Sequence, residues 1–254
     1  MSENPMEGTL KLSPSRVEAY QQCPRLYWYR YEPDSPKVTR APSAALSWGS
    51  SMHAALRSIY QQGGPPRVPI AALPGMLDVV WRGEGYGDKE TERAAKRRAL
   101  ECLERFLEKH HRQPTMTLYL ERFLEATVDG IPFLVRPDRV DMLSPGLLVV
   151  EYKSGRTPSF PPHQLTISTL VLEKLHHNPS DRPIQFSLYH LNSGEEQRTE
   201  LLEEKATEHL SYYGQLRHRI LERDFLATPS AQACQFCEAK GICVHAYRPP
   251  VRPD

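Results

Sequence analysis

Two acidic residues and a lysine stand close together near the middle of this sequence. Asp138 lies in Arg136-Pro-Asp138-Arg-Val-Asp141, and Glu151 and Lys153 follow in Val150-Glu151-Tyr152-Lys153-Ser-Gly. Strand alternation puts Glu151 and Lys153 on one face, with Val150 and Tyr152 on the other. If Asp138 belongs to the preceding strand of a hairpin, its carboxylate meets Glu151 across the ladder. Two such carboxylates, with a carbonyl and waters, form an oxygen-rich pocket suited to Mg²⁺ or Mn²⁺. An ion there lowers the pKa of water and offsets charge on a phosphate, while Lys153 adds a fixed positive charge. An isolated E-x-K is common on solvated strands. Here it closes the apolar run Leu147-Leu-Val-Val, an unusual end for a strand facing water.

Four of the five cysteines make a second constellation, one that joins the two ends of the chain. Cys234, Cys237 and Cys243 form a C-x2-C-x5-C run, and Cys23 sits in Gln-Gln-Cys-Pro-Arg. Clustered thiols without a secretory pattern point to metal ligation and not to a disulfide scaffold. A four-thiolate zinc site and a [4Fe–4S] cluster both need four soft ligands. A local zinc site of Cys234, Cys237, Cys243 and His245, leaving Cys23 free, fits the spacing as well. Cys102 falls on the apolar face of a helix with Ala99, Leu103, Phe106 and Leu107, so it is expected to be a small core residue.

The elements that must carry these groups can be read from pattern and punctuation. At 254 residues the chain can bury a substantial core. Residues 1–8 read as a flexible tail. Ser13-Pro14 opens a helix running to about Tyr29; a second spans 49–61 and stops at Gly63-Gly64-Pro65-Pro66. Residues 63–88 look like a Gly/Pro-rich insertion with a short helix near 73–81, and 89–111 is strongly helical. Strands are expected at 116–128 and 131–135 around the Asp129-Gly130 hairpin turn, then at 139–143 and 147–153. A crossover helix at 162–176, a strand at 184–191 and a long helix at 201–221 complete an α/β pattern with a mixed sheet.

Net charge is +1, so any nucleic-acid surface must be local. Lys11, Arg16, Arg25 and Arg30 interleave with Tyr20, Tyr27, Trp28 and Tyr29. This suits either phosphate neutralisation with base stacking or an amphipathic helix whose rings lie in the core. No stretch approaches the roughly 20 apolar residues of a membrane helix, and the polar N-terminus is unlike a signal peptide, so a cytoplasmic protein is expected. There is no G-x-x-x-x-G-K-[ST] loop, and any motor work would fall to a partner.

Together these residues resemble the PD-(D/E)XK nuclease superfamily, and within it the RecB-like and CRISPR-adaptation exonucleases. In that branch an Asp-Arg-Val-Asp strand precedes an acidic-x-Lys-Ser/Thr-Gly strand, and Asp138, Glu151 and Lys153 match its core positions. Gly49-Ser-Ser-Met-His53 resembles the branch's G-x-x-x-H helix, whose histidine joins the metal shell. Gln164-Leu165 resembles its Q-L-x-x-Y motif, with Ser168 in place of the tyrosine; Arg136-Pro137 stands where relatives carry glycine and an aliphatic residue. Iron–sulfur members place one cysteine in the first helix and three in a C-terminal C-x2-C-x5-C. Cys23, Cys234, Cys237 and Cys243 reproduce that layout, which favours [4Fe–4S] over zinc.

The resemblance spans Leu12 to Tyr247 apart from the Gly/Pro-rich middle. It implies a single nuclease domain over 1–254 with a restriction-endonuclease-like core, a central mixed β-sheet flanked by helices. Its parts would be an N-terminal helical part at 9–62 carrying Cys23 and His53, the 63–88 insertion, a core sheet within 115–192 and a cluster-binding segment at 229–247. It further implies a Mg²⁺- or Mn²⁺-dependent DNA exonuclease on single-stranded ends, in repair, recombination or CRISPR spacer processing. His53, Asp138 and Glu151 would be the metal ligands, with Lys153 and Gln164 completing the catalytic set and a helicase or CRISPR integration complex as partner. The alternative is a non-catalytic DNA-binding or scaffold subunit that keeps the fold and cluster.

Overall fold

In a computed structural model, residues 10–36, 38, 41–155, 160–176, 183–201 and 203–248 are described. The tail expected over 1–8 lies outside them. The first helix is two helices. α1 (Pro14–Gln22) is capped by Ser13, whose hydroxyl accepts from Arg16 N–H, and α2 (Pro24–Tyr31) begins immediately after Cys23. Pro24 disfavours helical backbone at the residue before it, and Cys23 is extended at φ −171°, ψ 124°. The single helix expected across this region therefore breaks at the cysteine.

α3 (Ala44–Gln61) starts at the Ser43 cap, five residues earlier than expected. The insertion carries α4 (Leu73–Val80) and leads into α5 (Lys89–His110), capped by Asp88. The strands are β1 (Met116–Leu120), β2 (Leu124–Val128), β3 (Ile131–Val135), β4 (Arg139–Met142) and β5 (Leu147–Lys153). α6 (Pro162–His176) crosses to β6 (Ile184–His190), and β7 (Glu196–Glu200) follows. α7 (Glu203–Thr207), α8 (Leu210–Leu221) and α9 (Ala231–Gln235) finish the chain, so the long helix expected at 201–221 is in two pieces.

The central sheet is mixed, ordered β1-β4-β5-β6-β7, with β5 and β6 parallel and the other pairs antiparallel. The strand expected over 116–128 is two strands in different sheets. β1 pairs with β4, whereas β2 and β3 form a separate hairpin whose Asp129-Gly130 turn has φ of 47° and 74°, the paired positive angles of a tight hairpin turn. The break falls at Glu121, itself at φ 46°. Alternation along β5 divides the core. Leu147 and Val149 join α1, α6, α8 and the hairpin on one face, while Leu148, Val150 and Tyr152 join α3, α4 and α5 on the other. The end of β5, where the apolar run turns charged, thus opens between two helical layers.

Candidate functional site

The β4–β5 register pairs Arg139 with Val150, which sets Asp138 opposite Glu151 one step before the ladder begins. Asp138 is held from two directions. His53 Nδ1 lies 3.1 Å from its Oδ1, and the Tyr152 backbone N–H donates to its Oδ2 at 2.8 Å. Lys153 Nζ lies 3.8 Å from Glu151 Oε2, as expected for side chains on one strand face. Beneath them Arg139, almost fully buried, donates to Asp141 at 2.9 Å and to the Tyr152 hydroxyl, while Thr117 donates to Asp141 at 2.8 Å. This paired network fixes the start of β4 and hence the place of Asp138.

Helix α3 supplies a second wall. Ala45, Leu46, Gly49, Ser50, His53, Ala54 and Arg57 recur at helical spacing and line one side of a cleft of about 490 Å³. Glycine at 49 is needed for the approach of α3 to the end of β5, since a Cβ there would meet Ser154 Oγ at 3.0 Å. His53 is brought to the site because Met52, Leu56 and Ile59, fully buried, pack the opposite side of α3 into the core.

Glu121 is a site residue that sequence reasoning missed. Its ligand oxygen, with one atom each from His53 and Asp138, belongs to a group whose members all lie within 4.8 Å of one another, among the described residues the only such trio of metal-ligating types. Arg57 and Arg136 bond Glu121 at 3.2 and 2.9 Å, and its N–H donates to the Asp138 carbonyl at 3.0 Å. A left-handed glutamate at a strand break is uncommon backbone, and such positions gather at functional sites. Glu151 is outside that trio but adjoins Asp138. It is almost fully buried, and its Oε1 has no hydrogen-bond partner.

The electrostatics follow from this geometry. Burial, reinforced by the Asp138 charge, pushes Glu151 up to about 8 against Lys153 and a Gln164 hydrogen bond. Burial also works to raise Asp138, but His53, the Tyr152 N–H and Lys153 outweigh it and hold that carboxyl below its usual value. For His53 burial works downward, and Asp138 and Glu121 together outweigh it, leaving the imidazole above its usual value. An orphaned carboxylate oxygen beside an ionised aspartate, a histidine and a second glutamate is a donor set that fits a hard divalent cation. Gln164 and Lys153 line a second pocket, about 340 Å³, with Arg136 in the walls of both.

Cys23, Cys234, Cys237 and Cys243 line one small pocket, and His245 lines it too. Cys102 is buried on α5, on the far core face, as expected. The C-terminal segment docks on the first two helices through Gln22 to the Ala233 carbonyl at 2.8 Å and Arg30 to Glu238 at 2.6 Å. Thr228 N–H donates to Cys23 Sγ at 3.4 Å, and Tyr247 N–H to Cys234 Sγ at 3.3 Å. Burial works to raise the Cys23 thiol, but backbone donors from Thr228, Leu26 and Arg25 outweigh it and hold it below the usual range. Burial, with the neighbouring thiols, pushes Cys237 up. No three of these sulfur and imidazole atoms all lie within 4.8 Å of one another. A single tetrahedral zinc, with bonds of about 2.3 Å, would draw its sulfurs to roughly 3.8 Å apart. The four thiols are soft donors gathered at one pocket, a set of a kind that zinc and iron–sulfur clusters both use.

The profile of the PD-(D/E)XK nuclease superfamily matches residues 11–244. Among solved structures, a Eubacterium rectale protein provisionally assigned as an exonuclease is similar over 99% of this chain and 96% of its own, at 12% identity and a TM-score of 0.51. That likeness is one of fold. SSO0001 aligns over 92% of this chain and 95% of its own at 13% identity, but its TM-score of 0.36 supports no argument. No curated protein matches the chain.

Proposed function

Because this chain belongs to the PD-(D/E)XK nuclease superfamily, we propose that it is a Mg²⁺- or Mn²⁺-dependent DNA nuclease of the RecB-like branch, an exonuclease on single-stranded ends. The observation that carries this reading is the convergence of His53, Asp138, Glu151 and Lys153 from three separate elements, His53 and Asp138 lining the cleft, Glu151 buried beside Asp138 and Lys153 reaching Glu151 from the adjoining pocket. His53, Asp138 and Glu151 would hold the cation, and Glu121 is positioned to join them. The bound ion would supply the Lewis acidity that lowers the pKa of water and offsets charge on the phosphate.

The chain's own groups account for the rest. Lys153 sets a fixed ammonium beside Glu151, where it favours the ionised carboxylate and attracts a phosphate. Gln164, on α6, lies beside Glu151 and favours its ionised form. Arg139 and Asp141 keep the Asp138 end of β4 in place. At the other site Cys23, Cys234, Cys237 and Cys243 would hold a [4Fe–4S] cluster that clamps the terminal segments together, adding to the docking contacts already made by Gln22 and Arg30. A helicase or a CRISPR integration complex is the partner class this reading expects, with repair, recombination or spacer processing as the setting.

The test is cleavage of 5′- and 3′-labelled single-stranded DNA with Mn²⁺ by anaerobically purified wild type and Lys153→Ala. Loss of cleavage in the variant alone supports the mechanism, and equal activity removes Lys153 from it. Inactivity of both favours a non-catalytic DNA-binding or scaffold subunit. A brown protein with about four irons per chain is expected; a colourless one with a single zinc overturns the cluster.

A further inference from the structure

Three guanidinium groups, those of Arg57, Arg82 and Arg136, line the cleft above His53 and Asp138. Two of them are already engaged by a carboxylate, since Arg57 and Arg136 share Glu121. Arg82 differs. Among the described residues no carboxylate pairs with it, and its side chain is exposed at the cleft rim. It comes from the 63–88 insertion, just after α4, the part of the chain for which the sequence offers no functional motif.

The short loop that presents Arg82 is firmly built. The Arg82 backbone N–H donates at 2.9 Å to the hydroxyl of Ser51, which is fully buried on α3 and itself bonds the Ser47 carbonyl. Next to it Trp81 stacks on Tyr86 at 5.9 Å and 19°, and its indole N–H donates to Glu92 at 3.1 Å. Gly85, at φ +81°, sits so close to the start of α3 that a Cβ there would lie 2.6 Å from Ser43 Cα. Any side chain at that position would push the loop away from α3. The loop is fastened at residues 81, 82 and 85, so the backbone that presents Arg82 is already ordered and only its side-chain entropy opposes engagement by a ligand.

We propose that Arg82 forms a backbone-phosphate subsite at the cleft rim, gripping a phosphate of the bound strand other than the one being cleaved. This rests on the nuclease reading above. The carboxylates of Asp138 and Glu121 line the cleft below Arg82 and oppose a polyanion until a cation is bound there. A guanidinium with no carboxylate partner among the described residues gives the strand an attachment that does not depend on that cation. Its fork of donors matches a phosphate. The contact is to the backbone, so it adds affinity without base preference.

The experiment is fluorescence anisotropy of a labelled single-stranded oligonucleotide across a salt series in EDTA, using the whole protein. Arg82→Ala is expected to raise Kd roughly tenfold at low salt. It should also flatten the slope of log K against log salt by about 0.7, the release expected for one phosphate contact on a single strand. Arg82→Lys should restore the slope but only part of the affinity. Arg67→Ala, on the far side of the insertion beside Leu107 and His111, should change neither. With Mn²⁺, Arg82→Ala should raise KM and leave kcat near wild type, a split that a merely structural loss would not produce. A wild-type slope and Kd in Arg82→Ala overturn the subsite and leave the nuclease reading intact. Wild type that binds no DNA in low salt sinks the nuclease reading, and this inference with it.

Discussion

Glu151→Gln should make the metal-free protein more stable in alkali while removing a carboxylate that the reaction needs. The ordinary value for this glutamate is 4.5, and the folded chain pushes it up to about 8, burial being the first cause and the Asp138 charge the second. The two carboxylates share their titration, and the proton belongs on Glu151. Asp138 accepts from Tyr152 N–H and faces His53, whereas Glu151 Oε1 has no donor. At about 1.4 kcal/mol per unit, ionising Glu151 in the folded state costs on the order of 5 kcal/mol, with almost no exposure to screen it. The unfolded glutamate ionises near 4.5 and the folded one only near 8, so the stability this group contributes is full below the first value. It drains away between the two and is gone above the second. Glutamine does not titrate. In thermal melts with EDTA the variant should therefore pull ahead of wild type as pH climbs through that window, by roughly 10 °C at the alkaline end for a chain of this size. Adding Mn²⁺ should return stability to wild type above pH 8 and do little for the variant. Melting curves that stay parallel across the window would refute the claim that Glu151 is held buried and uncompensated.

Asp141→Ala leaves the Arg139 charge buried without its carboxylate and strips Thr117 of its acceptor. Urea unfolding should show a loss of about 3–5 kcal/mol, and a loss under about 1 kcal/mol would mean that Arg139 finds relief elsewhere. Glu121→Gln should weaken Mn²⁺ binding by on the order of tenfold, because ligand charge count sets the affinity of such sites. Calorimetric titration reads this directly, and an unchanged affinity would leave Glu121 as a counter-ion to Arg57 and Arg136 alone.

Much of this architecture is legible in the chain because local rules and global packing agree. Asp129-Gly130 takes the two positive φ angles that only a tight turn between paired strands requires. Cys102 is buried where the helical spacing of α5 puts it. The apolar run of β5 serves two cores at once, which is why it lacks an alternating pattern until Glu151. Other elements give no such signal. β7, Glu-Gln-Arg-Thr-Glu, is a polar edge strand with little side-chain burial, so only its backbone pairing to β6 defines it. The break at Cys23 was signalled by the proline after it, whose steric demand outranks the helical pattern on either side.

The site divides along the same line. Asp138, Glu151 and Lys153 lie on neighbouring strands, so spacing and alternation suffice to bring them together. His53 and Glu121 reach the same point through tertiary packing, one on a helix docked by Met52, Leu56 and Ile59, the other on a left-handed kink. Residues 116–128 alternate well enough to read as one strand, and the rule fails at the residue that turns its carboxylate toward His53 and Asp138. Backbone that departs from its local preference persists only where the surroundings over-determine it. Here the Asp138 carbonyl and Arg136 do so, fastening Glu121 to the same short segment that carries Asp138, while Arg57 ties it to α3. The strand break and the convergence of the acidic group are thus one structural event, and a chain that kept β1 and β2 continuous would carry Glu121 out of the cleft.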